Sequence, residues 1–134
     1  MKRRFPTVFA SGVLAFALSG AAMAGTLEDG VAALQRGDYA TAMGLLRPLA
    51  GQGDAAAQNN VGIMYRYGQG VAQDYGQALG WYRKAAEQGN ASAQYNLGLM
   101  YTFGQGLPQG YTEAAELYRK AAEQGNASAQ VNSA

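Results

Sequence analysis

The chain has 134 residues, 49% of them hydrophobic and 14% charged, with a formal net charge of +1. That is enough apolar material for one domain with its own core, and too little charge for a disordered or polyelectrolyte chain. With neither histidine nor cysteine in the sequence, composition excludes disulfides, thiolate metal sites, the thiol nucleophile and the commonest general base.

The start of the chain is set apart from the rest. Lys2, Arg3 and Arg4 precede an apolar run from Val8 to Leu18, and Ala22-Met23-Ala24 places small residues at both recognition positions of a cleavage site. This is the layout of a secretory signal, and cleavage after Ala24 is predicted. The competing reading, an uncleaved anchor, needs about 20 apolar residues to cross a bilayer, and the run is shorter. Residues 1–24 are therefore read as a signal peptide of an exported protein, periplasmic or secreted, with no stable membrane insertion after removal. Without the three basic residues, ten become seven against nine acidic, a net of −2. The remaining basic clusters are the pairs Arg83-Lys84 and Arg119-Lys120, which argues against a nucleic-acid partner.

Taken in order, Thr26–Arg36 carries Leu27, Val31 and Leu34 at helical spacing, with Glu28 and Asp29 where the helix dipole favours acid. Gly37 ends this helix and Asp38 is predicted to cap the next, whose apolar face is Tyr39, Ala42, Met43, Leu46 and Leu49. Pro48 is expected to kink or shorten it, less severely because the residue four back is Gly44. Residues 25–54 thus form a first, degenerate helix pair. Residues 55–90 form a fuller one: Asp54 caps a helix with Ala57, Val61, Gly62 and Tyr65 on one face, and a Gly68-Gln69-Gly70 turn leads to the cap Asp74. A second helix from Tyr75 then places Ala78, Trp81, Tyr82, Ala85 and Ala86 on one stripe. Lys84 with Glu87, and Lys120 with Glu123, read as surface pairs three residues apart.

Gly89 and Asn90 then exit and cap, and residues 91–126 restate the unit, with Leu117 for Trp81 and Gly110 for the cap Asp74. The restatement is literal at the junction, where YRKAAEQGNASAQ occupies Tyr82 to Gln94 and again Tyr118 to Gln130, 36 positions on. A period of this length marks a stacked repeat array. Residues 127–134 read as the start of a further unit. Gly62 and Gly98, mid-helix in both units, imply close approach of a neighbouring helix, with Trp81, Tyr65, Tyr82, Tyr101 and Tyr118 wedged between helices.

The stretch AQYNLGLMYTFGQGLPQGYTEAAELYRKAAEQGNA, from Ala93 to Ala127, resembles the Sel1-like repeat, a relative of the tetratricopeptide repeat. It has the A-x3-LG-x2-Y helix, the G-x-G turn, and an A-x2-L-Y-x2-A-A helix. The resemblance implies an all-α superhelix, a solenoid of antiparallel helix pairs. It also implies an adaptor for proteins or peptides, often in bacterial envelope or signalling settings.

In such arrays the first helix of each pair lines the concave side. The positions left there after core assignment are Asn59, Asn60, Ile63, Met64, Arg66 and Tyr67 in one unit, and Tyr95, Asn96, Leu99, Met100, Thr102 and Phe103 in the next. An asparagine offers donor and acceptor to an extended backbone, and methionine and aromatic neighbours adapt to varied side chains. Asn60 and Asn96 also admit a plainer reading as repeat residues bonding an adjacent helix, and Met64 and Met100 as core or rim.

Chemistry has no constellation to stand on. Ser92, Ser128 and Ser133 lack a lysine three residues on, so the Ser-x-x-Lys arrangement of penicillin-recognising enzymes is absent. Because some Sel1-like proteins are linked to β-lactam binding or hydrolysis, that class is the rival to a non-catalytic scaffold. The glycine turns follow helices and lack the strand of a nucleotide loop. No cofactor or metal is expected. A third reading is structural: a homodimer through the unfinished C-terminal repeat, because repeats bury core only against neighbours.

Overall fold

The computed structural model describes residues 26–133, with side chains through residue 125. The signal segment and its cleavage site lie outside the described residues. Six helices and no strands occur among those residues: α1 (26–36), α2 (Tyr39–Gly51), α3 (Ala55–Tyr67), α4 (Tyr75–Glu87), α5 (Ala91–Phe103) and α6 (Tyr111–Ser133). They pack in chain order, α2 on α3, α3 on α4, α4 on α5 and α5 on α6. The result is an all-α repeat superhelix of three helix pairs. No described helix is long and apolar enough to cross a membrane.

The core runs along the seam between first and second helices. Ala57, Val61 and Met64 of α3, and Ala78, Tyr82 and Ala85 of α4, are fully buried, which is the stripe the helical spacing predicts. Three glycines set the distance within each pair. A Cβ at Gly30 would lie 2.6 Å from Leu46, one at Gly62 2.7 Å from the Tyr82 ring, and one at Gly98 2.7 Å from the Tyr118 ring. The same contact therefore recurs three times, and its cost in helix propensity, about 1 kcal/mol each, is offset by close packing. Trp81 is only half-buried, with the Lys84 ammonium 4.7 Å from its ring centroid. It sits at the rim of the core rather than wedged within it.

Turns follow their chemistry. Gly68 and Gly104 end α3 and α5 in the left-handed conformation, and Gln73 Nε2 and Gln109 Nε2 tie the following loops to the carbonyls of Arg66 and Thr102, each at 2.8 Å. Asp54, Asp74 and Asn90 accept backbone N–H bonds from Ala57, Gln77 and Ala93.

Four further expectations are corrected. Asp38 makes no side-chain cap bond to α2; the two-residue turn leaves its carboxylate 3.8 Å from Arg36 instead. Pro48 lies inside α2, which runs on to Gly51, because Leu49 and Ala50 are buried and hold the last turn on the core. Neither lysine–glutamate pair is among the ion pairs of the described residues: Lys84 lies over the Trp81 ring, and Glu123 pairs with Arg119, which also holds Glu116 and lowers the Glu116 pKa through hydrogen bonding and charge. Finally, α6 passes through Gly125 and Asn126 as one helix, so residues 127–133 prolong the second helix of the third pair and do not open a separate first helix.

Candidate functional site

The face formed by α3 and α5 is the candidate site, and the structure divides its twelve predicted residues by depth. Tyr67, Tyr95 and Phe103 stand exposed, at 57%, 51% and 64%. Asn60, Ile63, Asn96, Leu99 and Thr102 are half-buried. Met64 and Met100 are fully buried, and Asn59 and Arg66 nearly so. The two methionines sit at the position of each first helix that turns toward its second helix, so they belong to the core and are corrected from contact residues to packing residues.

Arg66 is also reassigned. Its Nε donates to Gln105 Oε1 at 2.9 Å, reaching from one unit into the glycine turn of the next, and its guanidinium lies 5.1 Å from the Tyr67 ring centroid. It braces two units and holds an exposed aromatic ring in place. Thr102, its counterpart, bonds the Gly98 carbonyl at 2.9 Å and the Tyr118 hydroxyl at 2.7 Å. The asparagines part ways: Asn96 Nδ2 donates across to Asn59 Oδ1 at 3.0 Å, whereas Asn60 Nδ2 turns back to its own helix at Ala56.

Between α3, α5 and α6 lies an open groove of about 800 Å³, lined by Asn59 and Ile63 of α3, Ala91, Ser92, Tyr95 and Asn96 of α5, and Tyr118, Ala121 and Ala122 of α6. Tyr95 leans on Tyr118, ring centroids 5.5 Å apart. Its walls are apolar with a few amide groups, suited to holding a polypeptide and without a nucleophile paired to a base.

A set of glutamines escaped the sequence reading. Gln58 and Gln94 are buried and donate to the carbonyls of Ala50 and Ala86 in the preceding helix. Their Oε1 atoms each accept from a second glutamine, Gln88 and Gln124, at 2.9 Å. Each junction is therefore stitched by a glutamine pair whose members both find partners, as buried amides require. The signal was available: both members recur at the 36-residue offset, and one of them falls on the apolar face. The Tyr82 hydroxyl, by contrast, is buried without a hydrogen-bond partner. Burial pushes its pKa well above the usual 10.0, and the nearby Arg66 charge only partly offsets this.

The relatives agree with this architecture. The Sel1 repeat family model matches residues 55–90 and 91–126. Among solved structures, the chain is similar to a Sel1 repeat protein from Oxalobacter formigenes, with 42% identity and a TM-score of 0.71 over 80% of this chain and 43% of that one. It is also similar to a protective antigen of uropathogenic Escherichia coli displaying an SLR fold, with 36% identity and a TM-score of 0.72 over 80% of this chain and 24% of that one. The chain thus spans less than half the length of either. No curated protein matches it. Sel1 repeat proteins are generally protein-interaction scaffolds and typically non-catalytic. On two matched repeats and three recurrences of the glycine contact, the chain belongs to the Sel1 repeat family.

Proposed function

We propose that the protein is a non-catalytic scaffold of the bacterial cell envelope that binds a protein or peptide along the concave side of its first helices. The observation that carries this reading is the placement of exposed aromatic rings. Large apolar side chains are costly to leave in water, yet Tyr67, Tyr95 and Phe103 are all more than half exposed, and all three project from α3 and α5. Tyr67 and Phe103 occupy the same position in successive units, 36 residues apart, which supplies two aromatic steps spaced by the repeat. Half-buried Ile63 and Leu99 lie one turn before them, and aromatic anchors beside aliphatic side chains are the usual make-up of an interaction hot spot. Export rests on the sequence of residues 1–24.

The test is site-specific photocrosslinking in cells. A photoreactive residue at Tyr67 or Phe103 is expected to capture a discrete envelope protein, and the same residue at exposed Arg83 of α4 is expected to capture none. Capture of one partner equally from Arg83 and Phe103 would refute the assignment of the face.

A further inference from the structure

Arg66 is a buried cation without an anion. The residue is 4% exposed, yet none of the ion pairs among the described residues involves it. A guanidinium carries five N–H donors and no acceptor, and a charge taken out of water is costly unless it is paired. The brace to Gln105 Oε1 uses one donor, Nε. The four on the two Nη atoms have no acceptor among the described residues, and neither Nη is fully enclosed, so both open to the surface.

The repeat frame does not require an arginine here. The same position in the next unit is Thr102, whose hydroxyl meets the Tyr118 hydroxyl at 2.7 Å. Arg66 stands near the counterpart Tyr82 hydroxyl and leaves it without a hydrogen bond. The unit of residues 55–90 thus gives up a buried hydrogen bond to hold a guanidinium where the fold accepts a threonine. Its setting is electrostatically one-sided. α3 and α5 contain no acidic residue, and Arg66 is their only charged side chain. Asp54 and Asp74, in the flanking turns, are engaged as helix caps. The exposed Tyr67 ring lies 5.1 Å from the guanidinium, and the Gln105 bond draws it toward the turn that follows Phe103. The charge is therefore set between the first aromatic step and the turn behind the second.

We propose that Arg66 receives an aspartate or glutamate side chain of the bound polypeptide, so that the partner segment is acidic, with apolar residues on either side of the carboxylate for Tyr67 and Phe103. This rests on the reading of the α3–α5 face as the binding surface. A guanidinium fork matches a carboxylate with two parallel N–H···O bonds, and burial strengthens the attraction. Apolar steps on both sides of the charge favour a side chain within a segment over a chain end.

The test uses the purified full-length chain and a library of short N-acetylated, C-amidated peptides, in which side chains supply the only carboxylates, beside a matched library with free C-termini. Bound sequences are expected to carry Asp or Glu flanked by apolar residues, and replacing that residue by Asn or Gln is expected to weaken binding by about tenfold or more. Arg66→Thr copies Thr102; with helix content checked by circular dichroism, it is expected to bind acidic and amide peptides alike. The double variant Tyr67→Ala/Phe103→Ala is expected to lose both. Acidic and amide peptides bound equally by the parent chain, and lost together in the double variant, would overturn the role of Arg66 and leave the face intact. An acid preference that survives Arg66→Thr, or one confined to free C-terminal carboxylates, would overturn it too. Binding of no peptide, or binding indifferent to the double variant, would refute the face itself and the proposal with it.

Discussion

Gly62 and Gly80 lie on facing helices and should answer the same substitution in opposite directions. A Cβ at Gly62 meets the edge of the Tyr82 ring at 2.7 Å, and that ring is fully buried, so it has nowhere to move. The overpacking cost of about 1 to 3 kcal/mol is set against a helix-propensity gain of about 1 kcal/mol, and Gly62→Ala is expected to lower stability. At Gly80 nothing lies within 4 Å, so Gly80→Ala should raise it by about 0.5 to 1 kcal/mol. Chemical denaturation of both reads the difference, and equal stabilities would remove the packing role given to Gly62. Tyr82 also sets a pH dependence. Its hydroxyl is buried without a partner, and its folded pKa lies above the usual 10.0. An unfolded chain releases that proton near pH 10 while the folded chain retains it, so stability is whole below that pH and falls as pH rises past it. Tyr82→Phe is expected to cost little or to stabilise by up to about 1 kcal/mol, and to flatten the fall of Tm between pH 9 and 11. Parallel Tm curves for the variant and the parent chain would show that Tyr82 titrates freely.

At the scale of elements, the turns couple one unit to the next. A Cβ at Gly70 would lie 2.8 Å from the Tyr39 carbonyl oxygen, and one at Gly106 2.7 Å from Tyr75 Cβ, each turn sitting on the first turn of the preceding second helix. Gly106 has φ +78. Gly106→Ala therefore combines left-handed strain with a clash, about 2 to 4 kcal/mol together. Because the contact joins the two full units, hydrogen exchange should show protection lost from α5 and α6 before α3 and α4; uniform loss would contradict the coupling. Much of this was legible in the sequence, since a glycine at one offset in both units announces a steric need. Asp38 was misread because a cap requires room in the turn as well as a carboxylate. The glutamine pairs were missed because amides look like surface until their partners are placed. The exposure of Tyr67, Tyr95 and Phe103 was legible in the sequence, and the burial of Arg66, which bonds Gln105 of the next unit, was not.

For the whole molecule, each unit is completed by the one that follows. Tyr39 and Tyr75 are half-buried beneath the glycine turns of the next units, whereas Tyr111, at the same position, is 67% exposed. The two conformations of YRKAAEQGNASAQ follow the same logic: at Gln88–Asn90 the turn lies between α4 and the α5 that packs on it, and among the described residues no helix packs in that way after Gln124–Asn126. A chain in which Gln130 is followed by a further copy of residues 95–126 tests this at full scale. The added helix should dock on Tyr118, Ala121 and Ala122, its glycine turn should cover Tyr111, and α6 should break at Gly125. In a nearest-neighbour array the added interface raises stability, and 1 kcal/mol of it lifts Tm by about 3 to 4 °C in a domain of this size. Nuclear magnetic resonance reads the hinge directly, through a positive φ at Gly125 and loss of helical shifts at Gln124 and Asn126. If α6 stays continuous in the extended chain, docking does not govern the turn, and the two conformations of the junction need another cause.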